Sequence, residues 1–272
     1  QITISTAIAP ISFGGNKINV LDCPGYFDFV GDVLCALRAV ECGLIVTSAK
    51  DTAESVSVGA QRNWNYLKNA KLPVMFAISK CNEEHGDYFK ALDTIKGKYG
   101  SIVCPVTIPT SDGNGVIDLV HNVAYITKGA KTEKAAIPAA DADRAEELRA
   151  ELMEAAAGAT EELMEKYFEG EDFSDEEIKQ GLRKGIAEGN IVPVCSSAFE
   201  LGHGSEGLLD LLIEYVPTPL QHGAYKGFND KNEPVERISV TDAPMSAFVF
   251  KTIVDPFVGK ISIMKVVTGK IN

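Results

Sequence analysis

At 272 residues the chain is long enough for one large domain or two smaller ones. Hydrophobic residues at 45% and charged residues at 24% suit a globular protein, and no apolar run approaches the length of a membrane span. The net charge of −12 is local, because residues 141–177 hold 15 Asp/Glu against 3 Lys/Arg and the remainder balances at 23 against 23; outside that segment the surface carries no net repulsion from a polyanion.

The six cysteines are scattered, without C-x-x-C or Cys/His clusters. Each reads as a small buried hydrophobe rather than a metal ligand or half of a disulfide. With no signal peptide at its start, the expected setting is a reducing cytoplasm.

Residues 1–8 are rich in Thr and Ile and read as extended. Gly14, Gly15 and Asn16 make a turn, so 4–12 and 17–22 form a hairpin. The stretch INVLDCPGYFDFVG, 18–31, then carries a strand into a Cys-Pro-Gly turn and a helix starting near Phe27 or Asp28. That turn places the Asp22 carboxylate at a strand's end beside the backbone N–H of Gly25. A carboxylate and a bare amide suit a Mg²⁺-bound phosphate, the first for the metal's water shell and the second for a phosphate oxygen. An ordinary strand–turn–helix with a capping Asp fits the same residues.

Val33, Leu34, Leu37 and Val40 continue that helix at helical spacing, to a stop at Cys42-Gly43. GLIVTSA, 43–49, and PVMFAI, 73–78, are continuous apolar runs, the pattern of strands buried on both faces of a parallel sheet. Helices are expected over Glu54–Asn69, with Val58, Trp64 and Leu67 as core positions, and from Asp87 to Tyr99. Alternating strands and helices imply an α/β domain with right-handed crossovers. Ligands of such sheets sit at the strands' carboxyl ends, where Asp22, Ala49 and Ser79-Lys80-Cys81-Asn82 fall.

From Ser101 the pattern changes to a smaller unit. Residues 127–140 read as a loop. Residues 141–168 read as one long helix with Leu148, Leu152, Ala155, Ala159, Leu163 and Tyr167 on a stripe, and Ser174 to Glu188 as a helix opened by a capping box. IVPVCSSA returns to a buried strand, followed by a helix to Tyr215. Residues 220–242 are polar and turn-rich, a linker, and the tail alternates as a hairpin around Asp255-Pro256.

ITI at 2–4, DCPGYFDF at 22–29, SKCN at 79–82, SSAF at 196–199 and the run VFKTIVDPFVGKISIMKVVTGKI at 249–271 occur in a fixed order. This ordered set resembles the translational GTPases, most closely elongation factor G and its paralogues. The resemblance implies a P-loop-NTPase-type α/β GTPase domain over 1–219 with an α+β insert at about 101–190. A linker at 220–242 and the start of a β-barrel domain at 243–272 would follow. It implies GTP/GDP and Mg²⁺ as ligands, and Thr3 as the switch I threonine on Mg²⁺. Asp22 would hold Mg²⁺ through water, and Gly25 would donate to the γ-phosphate. Ser79, Lys80 and Asn82 stand at the base-reading loop, with the Lys80 stem along the purine, and Ser197 and Ala198 would offer backbone donors to the base. The implied partners are guanine nucleotide and the ribosome, through its RNA and its stalk protein, which would face the acidic insert; a solvated acidic face explains the same charge run. Neither DNA nor a membrane is implied, and the expected state is a monomer.

The chain departs from the family pattern at three places. The phosphate loop G-x-x-x-x-G-K-[ST] is absent, so the chain reads as a fragment that lacks the first strand and that loop and is expected to bind nucleotide poorly by itself. Tyr26 stands where switch II usually has histidine, as in a D-x-P-G-Y subset of elongation factor G paralogues. Phenols titrate near ~10 and imidazoles near ~6.5, so a tyrosine can hydrogen-bond a water without matching histidine. Asn82 stands where the base-reading motif N-K-x-D has an aspartate; its single acceptor oxygen cannot take both guanine donors. Three readings stay open: a GTP-hydrolysing translation factor, a non-enzymatic ribosome-binding regulator on a degenerate GTPase fold, and a ribosomal protection factor.

Overall fold

A computed structural model describes residues 2–50, 58–129, 131–171 and 173–271. The chain divides into two compact units: residues 1–41 with 217–272, and residues 42–216.

The first unit opens with β1 (Ala7–Phe13) and β2 (Asn16–Asp22), an antiparallel hairpin turning at Gly14-Gly15. Both glycines have positive φ, as such a turn requires. A 3₁₀ turn at Phe27–Phe29 leads into α1 (Val30–Ala36). The helix ends at Ala36, more than one and a half turns before the expected Cys42. Arg38 and Ala39 donate three residues back, to Cys35 and Ala36, and these shorter bonds close the helix.

The second unit is built on a parallel sheet in the order β3-β4-β10-β5. β3 (Gly43–Ser48) and β4 (Val74–Ser79) pair in register, Ile45 opposite Phe76. β4 is buried as expected: Met75, Phe76, Ala77 and Ile78 are all fully enclosed. β3 is not, since Leu44 and Val46 are 37% and 58% exposed. It lies at one end of the observed strand order, and the face carrying Leu44 and Val46 is not covered by the described residues.

α2 (Val58–Asn69) and α3 (Tyr88–Tyr99) are the crossover helices. The start of the first expected helix, 54–57, lies outside the described residues. Val58 is 73% exposed rather than in the core, while Leu67 is buried and Trp64 packs tilted against Tyr99 at 4.2 Å between centroids. A side chain at Gly43 would collide with Leu67, so that glycine lets α2 lie close on β3. Asp87 caps α3 by accepting from the Lys90 N–H at 3.0 Å.

β5 (Val103–Pro105) corrects the expected start of the smaller unit. It pairs with Val192–Val194 and belongs to the parallel sheet. β6 (Thr107–Pro109), β7 (Gly115–Asp118), β8 (Val123–Lys128) and β9 (Lys131–Ala135) form an antiparallel meander. The expected loop at 127–140 thus supplies part of two paired strands. The expected long helix is two, α4 (Ala142–Ala157) and α5 (Glu161–Glu169). Gly158 ends the first, and the Thr160 hydroxyl accepts the Leu163 N–H to start the second; local capping outweighs the continuous apolar stripe. α6 (Asp175–Glu188) has the expected capping box between Ser174 and Glu177. β10 (Val192–Ser196) and α7 (Ser205–Tyr215) complete the unit.

The chain returns to the first unit with β11 (Ala224–Phe228) and β12 (Pro234–Ile238), an antiparallel hairpin inside the expected linker. Asn229 builds its turn, its side-chain oxygen accepting from the amides of Lys231 and Glu233. β13 (Ser246–Asp255) and β14 (Gly259–Thr268) form the expected hairpin, with Asp255 capping the amides of Phe257 and Val258 at its tip.

Candidate functional site

The expected site residues fall into two groups, one in each unit. The first lies where β2 ends. Asp22 pairs with Ala7 at the last rung of the β1–β2 ladder, so its carboxylate emerges at a strand end and is exposed. Thr3, half-buried, lies four residues before Ala7, and the chain between them passes the Cys23–Gly25 turn: the Thr6 hydroxyl is 4.0 Å from the Cys23 sulfur. Pro24 is buried and fixes the turn, whereas Gly25 and Tyr26 are exposed, Tyr26 by 56%. Among the described residues the Gly25 amide donates to no partner, and a Cβ placed on Gly25 would meet nothing within 4 Å. The turn therefore presents a carboxylate, a bare amide and open space beside them. Among the described residues no three His, Cys, Asp or Glu side chains gather as a metal cage. Mg²⁺ bound through one carboxylate, waters and phosphate oxygens needs none.

The second group sits at the carboxyl ends of β4 and β10. Ser79 is structural: its hydroxyl donates to Thr47 O at 2.8 Å and its carbonyl accepts from the Ala49 amide. Lys80 has φ +62, uncommon for a residue with a side chain, and leaves the strand with its side chain about half exposed. Cys81 turns inward; its amide donates to Ser197 O at 3.3 Å and its thiol to Ile78 O. Burial pushes that thiol up to about 11. Asn82 is exposed.

Gly86 closes the loop beneath Lys80. A Cβ there would lie 2.7 Å from the Lys80 carbonyl oxygen, too close for any side chain. Glu83 is engaged by Lys50 at 2.5 Å and faces Lys80 at 3.9 Å. The hydrogen bond from Lys50 holds its carboxyl below the usual range, so it is committed to the lysines beside it.

Across the sheet, Ser197 and Ala198 are buried, and both amides are already used, donating to Ile78 O at 2.9 Å and His203 O at 3.1 Å. The Thr107 hydroxyl accepts the Ser196 amide, and Ala198 pairs with His203 across a bridge that turns the loop toward α7. A cleft of about 580 Å³ opens beside this loop, lined by Lys50, His85, Asp87, Thr110 and Ser111. Lys80, Asn82 and Ser197 are not on its walls.

Sequence reasoning missed Lys50, Gly86, Thr107 and His203. Lys50 and Thr107 join loops far apart in the chain, to Glu83 and Ser196, whereas Gly86 and His203 act within their own loops, and no periodicity marks any of the four. It also assigned no role to His121, whose Nδ1 lies 2.7 Å from Asp118 and whose Nε2 lies 3.6 Å from Glu214 on α7.

The Elongation factor Tu GTP binding domain family matches residues 1–218. The chain belongs to that family. It also superposes on the crystal structure of a Thermus thermophilus protein with a TM-score of 0.83 at 30% identity, over 98% of this chain and 38% of that one. The chain thus spans about two-fifths of the length of that relative. The GTPase-type α/β domain followed by antiparallel β hairpins agrees with both comparisons, and guanine nucleotide is the ligand class of the domain. No helix among the described residues is long and apolar enough to cross a membrane.

Proposed function

We propose that this chain is the nucleotide-sensing part of a translation factor of the elongation factor G type, a D-x-P-G-Y paralogue that works on the ribosome. The observation that carries the reading is the Asp22–Gly25 turn, with an exposed carboxylate, an amide that donates to no partner among the described residues, and open space at the Gly25 Cβ position. In this reading residues 1–219 are the GTPase domain with its insert at about 101–190, 220–242 joins it to the next domain, and 243–272 begins a β barrel. The nucleotide's Mg²⁺ supplies charge neutralisation when bound. Thr3 ligates that ion, Asp22 orients one of its waters, and Gly25 donates to the γ-phosphate. Lys80 lies along the purine, with Ser79 holding its loop and Asn82 facing the base edge. Ser197 and Ala198 wall the base, and a contact from either amide requires exchange of its present bond to Ile78 or His203. The acidic helices α4–α6 offer a surface to the ribosomal stalk. The protein works as a monomer in the cytoplasm.

A second reading has its own support. Tyr26 at the histidine position and Asn82 at the aspartate position both weaken GTPase chemistry while leaving the sensing turn intact, which favours a ribosome-binding regulator whose hydrolysis is impaired. The two readings share one test: cosedimentation of the full-length protein with ribosomes in a GTP analogue, in GDP and without nucleotide. Retention with the analogue and release with GDP is expected. Equal retention in all three states would contradict nucleotide sensing.

A further inference from the structure

One lysine, inside the 249–271 run but with no role expected of it, ties three segments of the first unit together. Lys251 lies on β13, beside an irregularity where the register with β14 shifts between Val249 and Lys251. Such a bulge re-aims a side chain, and the Lys251 side chain is only 12% exposed. Its ammonium donates to the Ser5 hydroxyl, to Thr6 O at 2.8 Å and to Asp32 Oδ2 at 2.9 Å. All three ammonium protons therefore have acceptors.

Asp32, on α1, also accepts the Thr6 amide, and the Thr6 hydroxyl donates to the Asp32 carbonyl at 3.4 Å. The Thr6 amide and Lys251 together hold the Asp32 carboxyl below its ordinary range. Two further contacts fasten the hairpin to the same region. Lys265 on β14 pairs with Glu41, and the Arg38 guanidinium lies 5.3 Å from the Phe248 ring centre.

Ser5 and Thr6 follow Thr3 within three residues, and α1 begins five residues after Gly25. We infer that Lys251 is a positioning residue that couples the segment carrying Thr3, the helix after the Asp22–Gly25 turn and the β13–β14 hairpin. Through it, release of the γ-phosphate at Thr3 and Gly25 reaches the following domain. The inference rests on the nucleotide reading above and adds a residue that touches no nucleotide itself. A single buried cation suits this task. If the Thr3 segment withdraws, two of the three acceptors go with it, and the lysine must find new partners or leave.

The test compares Lys251→Met, Lys251→Arg and Asp32→Asn in the full-length protein. Affinities for a non-hydrolysable GTP analogue and for GDP are read by fluorescent-nucleotide titration, and exchange of the Thr6 amide by hydrogen–deuterium exchange. Lys251→Met is expected to weaken the GTP analogue about tenfold and GDP less than twofold, because only the γ-phosphate side depends on Thr3. Thr6 should exchange at least about tenfold faster while the β1–β2 turn is unchanged, and Lys251→Arg should restore part of the GTP preference. If Lys251→Met does not fold, the isosteric Asp32→Asn carries the same comparison. Equal weakening of both nucleotides, or none, overturns the coupling while leaving the nucleotide reading intact. Failure of the unsubstituted protein to bind either nucleotide overturns the nucleotide reading and the coupling with it.

Discussion

The loop pair at 79–86 and 196–204 and the turn at 22–26 are built in opposite ways. In the loop pair several polar groups are partnered, Ser79 on Thr47, Cys81 on Ser197, Glu83 on Lys50 and Ala198 on His203, while the buried Ser196 hydroxyl has no partner among the described residues. In the turn, Asp22, Gly25 and Tyr26 are exposed, and the Gly25 amide has no partner among the described residues. In the proposed reading the framework of this loop pair is preformed, since the base's shape does not change between nucleotide states, and only the Ser197 and Ala198 amides would exchange a bond to reach it. A sensing turn must keep its donors unspent, because a donor already bonded within the chain discriminates nothing. The comparison predicts that substitutions in the first region act on stability and base choice, and those in the turn on ligand response alone.

The largest effect should come from Asp22→Ala in the full-length protein. Mg²⁺-dependent GTP affinity is expected to fall by ~100-fold, about 2.7 kcal/mol. The melting temperature should barely move, because an exposed substitution usually shifts stability by no more than about 0.5 kcal/mol. Nucleotide titration beside thermal unfolding checks both, and a large loss of stability would break the contrast.

Next is Gly86→Ala. Its methyl group would press on the Lys80 and Glu83 carbonyls at 2.7 and 3.0 Å. Overpacking of this kind costs about 1–3 kcal/mol. Chemical denaturation should show the loss, and an unchanged midpoint would mean that the loop is looser than its hydrogen bonds imply.

Asn82→Asp should sharpen base choice. Restoring a carboxylate that accepts both guanine donors is worth roughly 1–3 kcal/mol, or about 5- to 150-fold. The unsubstituted protein should favour xanthosine triphosphate relative to guanosine triphosphate, and the variant the reverse. Competition binding measures the ratio.

The smallest effect concerns His121, which links the β7–β8 turn to α7. Hydrogen bonding to Asp118 raises its pKa against a smaller opposing push from burial, with Asp118 and Glu214 adding charge attraction. A raised folded-state value means that the contribution is fully present below the ordinary value near ~6.5. It is lost as pH rises through the higher folded-state value. Melting curves of His121→Asn and the unsubstituted protein should therefore differ most at mildly acid pH and converge in alkali. Lys179, Asp210 and Glu206 surround the same corner, and their charge is common to both proteins.

How legible these features were depends on how local their causes are. The β4 core could be read from the unbroken run PVMFAI, and the start of α6 from Ser174 and Glu177, because burial and capping leave signatures within a few residues. The break at Gly158 was hidden, since the apolar stripe runs across it and only the Thr160 cap reveals it. β5 could not be assigned to the parallel sheet from its own three residues; its place depends on pairing with Val192–Val194. Of the candidate site, the ordered motifs at 22–29, 79–82 and 196–199 fall at strand ends and turns in the structure. They said nothing of which amides were already spent, and although the 249–271 run contains Lys251, nothing of its meeting Asp32 across 219 residues of sequence.

The central claim is that the turn at Asp22–Gly25 senses a γ-phosphate while Tyr26 limits its cleavage. The most direct measurement is single-turnover GTP hydrolysis on ribosomes by the full-length protein and its Tyr26→His variant, with GTP affinity measured alongside. Affinity should agree within about twofold, and the histidine variant should hydrolyse at least ~10-fold faster, in keeping with the usual worth of a positioned acid–base group. Rapid hydrolysis by the unsubstituted protein, unimproved by histidine, would contradict the claim.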